Sequence, residues 1–202
     1  LYGVRQLAAD IKECSDNFTK PCWYLKCDMK GFFMSIPRKE LADKVDAFIV
    51  DNYKGDDIED LRYLSRVTIM NDPTNNCIKR SSEESMAKVP QGKTLRGAKK
   101  DHGLPIGNLT SQHDANFWLN DFDWMFEIIL HIYYHGRYVD DFFLIHQDKK
   151  VSLASAPKIR KYLANIGVTL HPRKIELQSV YKGIKFTGMV VKRDRIYASN
   201  RM

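Results

Sequence analysis

Cysteine is scarce in this chain: four in 202 residues, at positions 14, 22, 27 and 77. There is no Cys-x-x-Cys, and no His follows any of them within five residues. That spacing argues against a zinc site or a disulfide framework and fits a reducing, cytoplasmic setting. No apolar run approaches the ~20 residues of a membrane-spanning helix, so no membrane role is expected. Internal repeats and low-complexity tracts are missing. The chain starts at Leu1 with no basic-then-apolar signal segment and stops at Asn200-Arg201-Met202 with neither helix cap nor tail. It reads as a piece of a longer polypeptide.

The remaining composition is that of a folded protein. Apolar residues make up 44% and charged residues 28%, which excludes disorder, and the length suits one domain or one domain with a lobe. The net charge of +7 invites an anionic partner.

Leu7 and Ile11 lie at helical spacing, and Trp23–Cys27 reads as a strand ending at Asp28. Pro37 opens a helix with an apolar face of Leu41, Val45, Phe48 and Ile49, ended by Gly55. A second helix carries Ile58, Leu61 and Leu64 and stops at Asn71-Asp72-Pro73. Residues 77–100 then hold Lys79, Arg80, Lys88, Lys93, Arg96, Lys99 and Lys100 against Glu83 and Glu84, so most of the net charge is here. A charge run is ordinarily a solvated loop, but this one leads into Gly103-Leu104-Pro105-Ile106-Gly107-Asn108. Asn108 or Thr110 can cap one long helix with a stripe of Ala115, Trp118, Leu119, Phe122, Phe126 and Ile129. Tyr133–Tyr138 and Phe142–Ile145 read as strands around a Val139-Asp140-Asp141 turn. A helix with Ile159, Tyr162, Leu163 and Ile166 follows, stopped by Gly167. Residues 168–170, 174–180, 184–191 and 196–198 are strand-like. The mixed order points to α+β rather than a doubly wound parallel sheet.

Tyr138-Val139-Asp140-Asp141 is the most informative string. A two-residue hairpin turn favours Asn-Gly or Asp-Gly, not adjacent aspartates. Two carboxylates 4 Å apart repel by about 1 kcal/mol in water and about 4 kcal/mol at the dielectric of a protein surface, which cations would offset. Asp28, at a strand end 112 residues before Asp140, can complete the group if the strands are neighbours. Three hard oxygen donors suit Mg²⁺, and two such ions ~4 Å apart would clamp an in-line phosphoryl transfer. Lys30-Gly31-Phe32-Phe33 is similar to the opening of an RNA-recognition signature, but that signature wants Gly or Ala where Phe33 stands.

In order and spacing over residues ~20–195, the Asp28 strand, the Gly-Leu-Pro-Ile-Gly-Asn segment and Tyr-Val-Asp-Asp resemble motifs A, B and C of reverse transcriptases. Gly183-Ile184-Lys185-Phe186-Thr187-Gly188 is similar to their primer grip. Group II intron and retron enzymes usually read Pro-Gln-Gly and then Ser-Pro. Pro105-Ile106-Gly107-Asn108-Leu109-Thr110-Ser111-Gln112, with Lys93-Thr94-Leu95 before it, resembles instead the bacterial and phage enzymes of diversity-generating retroelements.

The resemblance implies an antiparallel polymerase palm backed by helices. Residues 54–103 would be a basic, fingers-like insertion, and the upstream fingers and the thumb would lie outside residues 1–202. It implies RNA-templated, error-prone DNA synthesis on a DNA or RNA primer from dNTPs, with two Mg²⁺ (Mn²⁺ substituting) and a small basic accessory protein as a further partner. Asp28, Asp140 and Asp141, with the Met29 carbonyl, would hold the metals. Phe33 would be the steric gate under the sugar, unless it and Phe32 are both core aromatics. Ile106, Gly107 and Gln112 would lie by the nascent base pair, Ser111 and Gln112 alternatively being helix caps. Lys174 would lie near the leaving pyrophosphate or be a solvated lysine, and Phe186 and Gly188 would position the primer. A group II intron, retron or phage-defence reverse transcriptase is the alternative within the resemblance, and a non-catalytic, palm-like RNA-binding module is the alternative of a different class.

Overall fold

In the computed structural model, which describes residues 2–78 and 80–199, helices and antiparallel strands are interleaved. The chain runs α1 (Tyr2–Cys14), β1 (Trp23–Lys30), α2 (Phe32–Ser35), α3 (Arg38–Asn52), α4 (Ile58–Met70) and α5 (Glu83–Ala87). It continues through α6 (Leu109–Trp118), α7 (Asn120–Ile128), β2 (Tyr134–Tyr138), β3 (Asp141–His146) and α8 (Lys149–Asn165). The last elements are β4 (Thr169–Ser179), β5 (Ile184–Phe186), β6 (Met189–Val191) and β7 (Ile196–Ala198). Two units divide these elements: Leu1–Lys30 with Asp121–Met202, and Gly31–Asn120.

The first unit holds a four-stranded sheet of order β2-β3-β1-β4, antiparallel at every pairing. Strand alternation sorts its side chains onto two faces. Leu25, Cys27, Phe142 and Leu144 share one face. There Phe142 meets Phe122 of α7 with ring centres 5.1 Å apart, and Ile159 and Leu163 of α8 are fully buried. Tyr24, Phe143 and Ile145 share the other, in one apolar cluster with Val4, Leu7 and Ile11 of α1 and with Ile184, Phe186 and Val191 of a small β5-β6-β7 sheet. Lys26, Asp28 and Asp141 continue that second face toward the sheet end.

The structure departs from the periodicity at several points here. β1 continues two residues past Asp28, because its ladder to β4 resumes beyond an irregularity between Cys27 and Met29. β4 is one strand where the pattern predicts two. Pro172, which has no N–H to give a ladder, lies in the stretch that slips. Residues 184–191 form a hairpin rather than one strand. Thr187 and Gly188 have φ of +47° and +80°, the pair of positive values that a two-residue type I′ turn requires. Helix α8 starts at Lys149, capped by Asp148 (Oδ1 to Lys150 N, 2.7 Å), and runs through Pro157.

The second unit holds α2 to α6. Pro37 precedes α3 as its sequence position predicts, and α4 ends before Asn71-Asp72-Pro73. The buried face of α3 is Leu41, Ala42 and Ile49, whereas Phe48 is exposed and pairs edge-on with Phe117 of α6 (5.3 Å). Arg38 is buried and ties α3 to the end of α4 through the Met70 and Asn71 carbonyls and Asp72 (3.2–3.3 Å). The predicted single helix after Asn108 is two, α6 and α7, separated at Leu119. Ile129 is exposed, and Met125 is buried in its place. Asn108 stands at the N-cap position without a side-chain bond, and Thr110 lies inside the helix. Arg80, Lys88, Lys93, Arg96, Lys99 and Lys100 are all exposed, while Lys79 lies outside the described residues.

Candidate active site

The acidic group is built by register. β2 and β3 meet at Tyr138 opposite Asp141, leaving Val139-Asp140 as the two central residues of a tight hairpin. β3 pairs with β1 so that Asp141 stands opposite Asp28. The Met29 N–H donates to the Asp140 carbonyl (3.1 Å), which fixes the turn against β1. Val139 has φ +58°, a region that a β-branched residue avoids and that costs about 1–3 kcal/mol when the surroundings enforce it. The turn is therefore held rather than chosen by local propensity.

Two lysines neutralise part of this charge. Lys174 Nζ donates to Asp28 Oδ2 at 2.7 Å, and Lys26 Nζ lies 3.2 Å from Asp141 Oδ2. Lys174 reaches Asp28 from the irregular stretch of β4 after Pro172, so the slip in the ladder is what supplies the cation. The hydrogen bond to Asp28 raises Lys174 above the usual lysine range, with the charges of Asp28, Asp141 and Asp140 adding to it. Among the described residues, no lysine is paired with Asp140 as Lys174 and Lys26 are with Asp28 and Asp141. Burial, reinforced by the charges of Asp28 and Asp141, holds its carboxyl above the usual carboxylate value.

A cleft opens on each side of the Lys26–Asp141 pair. One, of about 480 Å³, is lined by Asp28, Arg173, Lys174 and Glu176. The other, of about 600 Å³, is lined by Tyr138, Asp140, Lys185, Phe186, Thr187, Gly188 and Ser199. This second cleft brings the two predicted primer-contact positions to the aspartates. Phe186 is only 4% exposed and packs edge-on against Phe143 (4.9 Å), so its ring anchors the hairpin, while Gly188 sits at an open tip. The Ser199 N–H and hydroxyl both bond the Gly188 carbonyl (2.8 and 2.9 Å). Sequence reasoning missed Lys26, Lys185 and Ser199. Lys26 was within reach, because it stands two residues before Asp28 and strand alternation puts both on one face.

The other predicted residues belong to the second unit. Phe32 is 2% exposed and belongs to the core, whereas Phe33 is half-buried, with its carbonyl accepting the Leu104 N–H (2.9 Å). The two aromatics therefore do not share one role. Ile106 is 59% exposed. Gly107 has φ +105° with open space around its Cα. Ser111 is buried and Gln112 exposed, both inside α6, so neither caps it.

Among the described residues, no three His, Cys, Asp or Glu side chains stand together as a ready-made metal cage. The donor chemistry of the sheet end nevertheless fits a hard divalent cation: Asp28 and Asp141 stand opposite each other in the ladder, and Asp140 precedes Asp141 in the turn, its carboxyl raised first by burial and then by the charges of the other two. No helix is long and apolar enough to cross a membrane.

The mixed α+β fold with antiparallel sheets is consistent with a polymerase palm. A family profile, reverse transcriptase (RNA-dependent DNA polymerase), matches residues 1–191, and the chain belongs to that family. A search of the curated proteins found no match. Reverse transcriptases as a family use an RNA template, a primer and dNTPs, and in general divalent metal ions.

Proposed function

We propose that this chain is the catalytic palm of an RNA-directed DNA polymerase, with residues 54–103 as a basic, fingers-like insertion. The observation that carries the reading is the register that sets Asp28 opposite Asp141, next to the Asp140 turn and the cleft of the Thr187-Gly188 hairpin. Asp28, Asp140 and Asp141, with the Met29 carbonyl, would hold two Mg²⁺. When bound, these ions supply charge neutralisation at the reacting phosphate. The chain's own residues do the rest. The Thr187-Gly188 turn and Lys185 orient the primer strand so that its 3′-hydroxyl faces the α-phosphate. Lys174 offers an ammonium to the departing pyrophosphate. Phe33 closes the space under the sugar, and the exposed lysines and arginines of residues 80–100 hold nucleic-acid phosphate. Primer extension on an RNA template with dNTPs and Mg²⁺ or Mn²⁺ tests the reading. RNA binding without any extension by the full-length protein, with its upstream fingers and thumb, would assign the chain to a non-catalytic, palm-like module instead.

Within the family we place the chain with the enzymes of diversity-generating retroelements, because Ile106 stands where group II intron and retron enzymes carry Gln. An amide has directional donors and an acceptor, so a site built on one rejects a displaced partner through its own unpaired groups. An apolar side chain discriminates by only about 1–3 kcal/mol. Ile106 is exposed, as a residue facing a substrate must be. Ile106→Gln is expected to lower misincorporation without abolishing synthesis. Sequencing the cDNA of both proteins on one RNA template checks this, and equal error spectra at equal activity would remove Ile106 from the account of fidelity.

A further inference from the structure

We propose that Arg137 is a positioning residue for Asp140, acting through the backbone of the hairpin turn. The inference rests on reading Asp140 as a catalytic carboxylate. Arg137 is in β2, one residue before Tyr138, and its side chain is 9% exposed. Its Nε donates to Asp123 Oδ1 at 2.8 Å and its second terminal nitrogen to Asp123 Oδ2, a two-point clasp onto α7. The remaining terminal nitrogen donates to the Val139 carbonyl at 3.2 Å.

One planar guanidinium thus holds a helix carboxylate and the backbone of the turn at once. The Val139 carbonyl it holds belongs to the residue with φ +58°. From the opposite side the Met29 N–H holds the next carbonyl, that of Asp140. The turn that aims the Asp140 carboxylate is clamped from β1 and from α7, the α7 clamp running through Arg137. A lysine could pair with Asp123 but could not fork between both carboxylate oxygens and a carbonyl. Val at position 139 makes the clamp necessary, since a glycine would adopt the same φ without restraint.

The test is steady-state primer extension by the full-length protein and its variants, with circular dichroism and thermal melting as the folding criterion. Arg137→Lys and Asp123→Asn are expected to fold and to lose about 10–100-fold in kcat, with the KM for dNTP within about twofold of wild type, as a misplaced reacting group requires. Adding Val139→Gly to Arg137→Lys should return kcat to within about threefold of wild type, because the turn then needs no clamp. A purely structural role in holding α7 would not be rescued at position 139. Wild-type kcat in folded Arg137→Lys, absence of rescue by Val139→Gly, or failure of both single variants to fold would each overturn the proposal. Asp140→Asn in the same assay keeps the two readings apart. If it is fully active, the catalytic reading falls, whereas loss there with full activity in the Arg137 and Asp123 variants removes only the positioning role.

Discussion

Asp140→Asn is expected to abolish primer extension while making the metal-free protein more stable at neutral pH. The substitution keeps the shape of the side chain and removes the charge that would bind an ion at the reacting phosphate. A loss of ~4 kcal/mol of transition-state stabilisation corresponds to ~10³-fold in rate, and at least that is expected. The stability change has the opposite direction. Asp140 is held above the ordinary carboxylate value of 3.8, first by burial and then by Asp28 and Asp141, so the folded state takes up a proton more readily than the unfolded chain. Its favourable contribution is complete below 3.8 and is lost as pH rises through the raised folded value. At neutral pH the wild type therefore carries an unfavourable charge that Asn lacks. Melting curves across the acid range should show the variant's advantage at neutral pH and its disappearance toward pH 4. Near wild-type extension by Asp140→Asn would refute the assignment of the site. A variant that is inactive but also less stable at neutral pH would attribute the loss to unfolding.

Phe33→Ala should admit ribonucleotides. Phe32 fills the core and Phe33 is half-buried, so the second ring is the one available to exclude a 2′-hydroxyl. Removing it opens space without creating a buried cavity as large as Phe32→Ala would leave. By analogy with discrimination through single small groups in pockets, rNTP use relative to dNTP should rise about 10–200-fold. Competition of rNTP and dNTP on one template measures it. An unchanged ratio in a folded variant would return Phe33 to the packing of its unit.

The motifs were legible because they are local. Pro37 ahead of α3 and the stop of α4 at Asn71-Asp72-Pro73 follow from residues within a few positions of one another, whereas the expected Val139-Asp140-Asp141 turn is shortened to Val139-Asp140, because Asp141 joins β3 opposite Tyr138. The break between α6 and α7 was not legible. Ser111, Ala115, Leu119, Phe122 and Phe126 are all buried at steps of three or four, so the helical period passes unbroken across Leu119. The hairpin at Thr187-Gly188 was hidden by a β-branched residue at the first turn position, where Asn or Gly would announce it. Helix α8 runs through Pro157, against the rule that proline ends a helix. At the site, the three aspartates and Lys174 could be listed from sequence, and Lys26 was open to strand alternation, but the pairing of each lysine with its aspartate was not. Lys174 reaches Asp28 only once β1 is paired on both sides and β4 slips at Pro172.

The order β2-β3-β1-β4 has a consequence during synthesis. β1 is central in the sheet, yet it leaves the ribosome first of the four strands, and its pairing of Asp28 with Asp141 waits for more than a hundred further residues. At about 5–20 residues per second that interval is roughly 6–23 s. Throughout it, Tyr24, Leu25 and Cys27 have no ladder partners, and while α1 is available to the Tyr24 face, the face of Leu25 and Cys27 waits for α7 and α8. The nascent chain thus carries an apolar strand with two open edges, the kind of segment that chaperones shield and that aggregates when synthesis outruns them. Between that strand and its partners lies Gly31–Asn120, which can gather its own helices in the meantime.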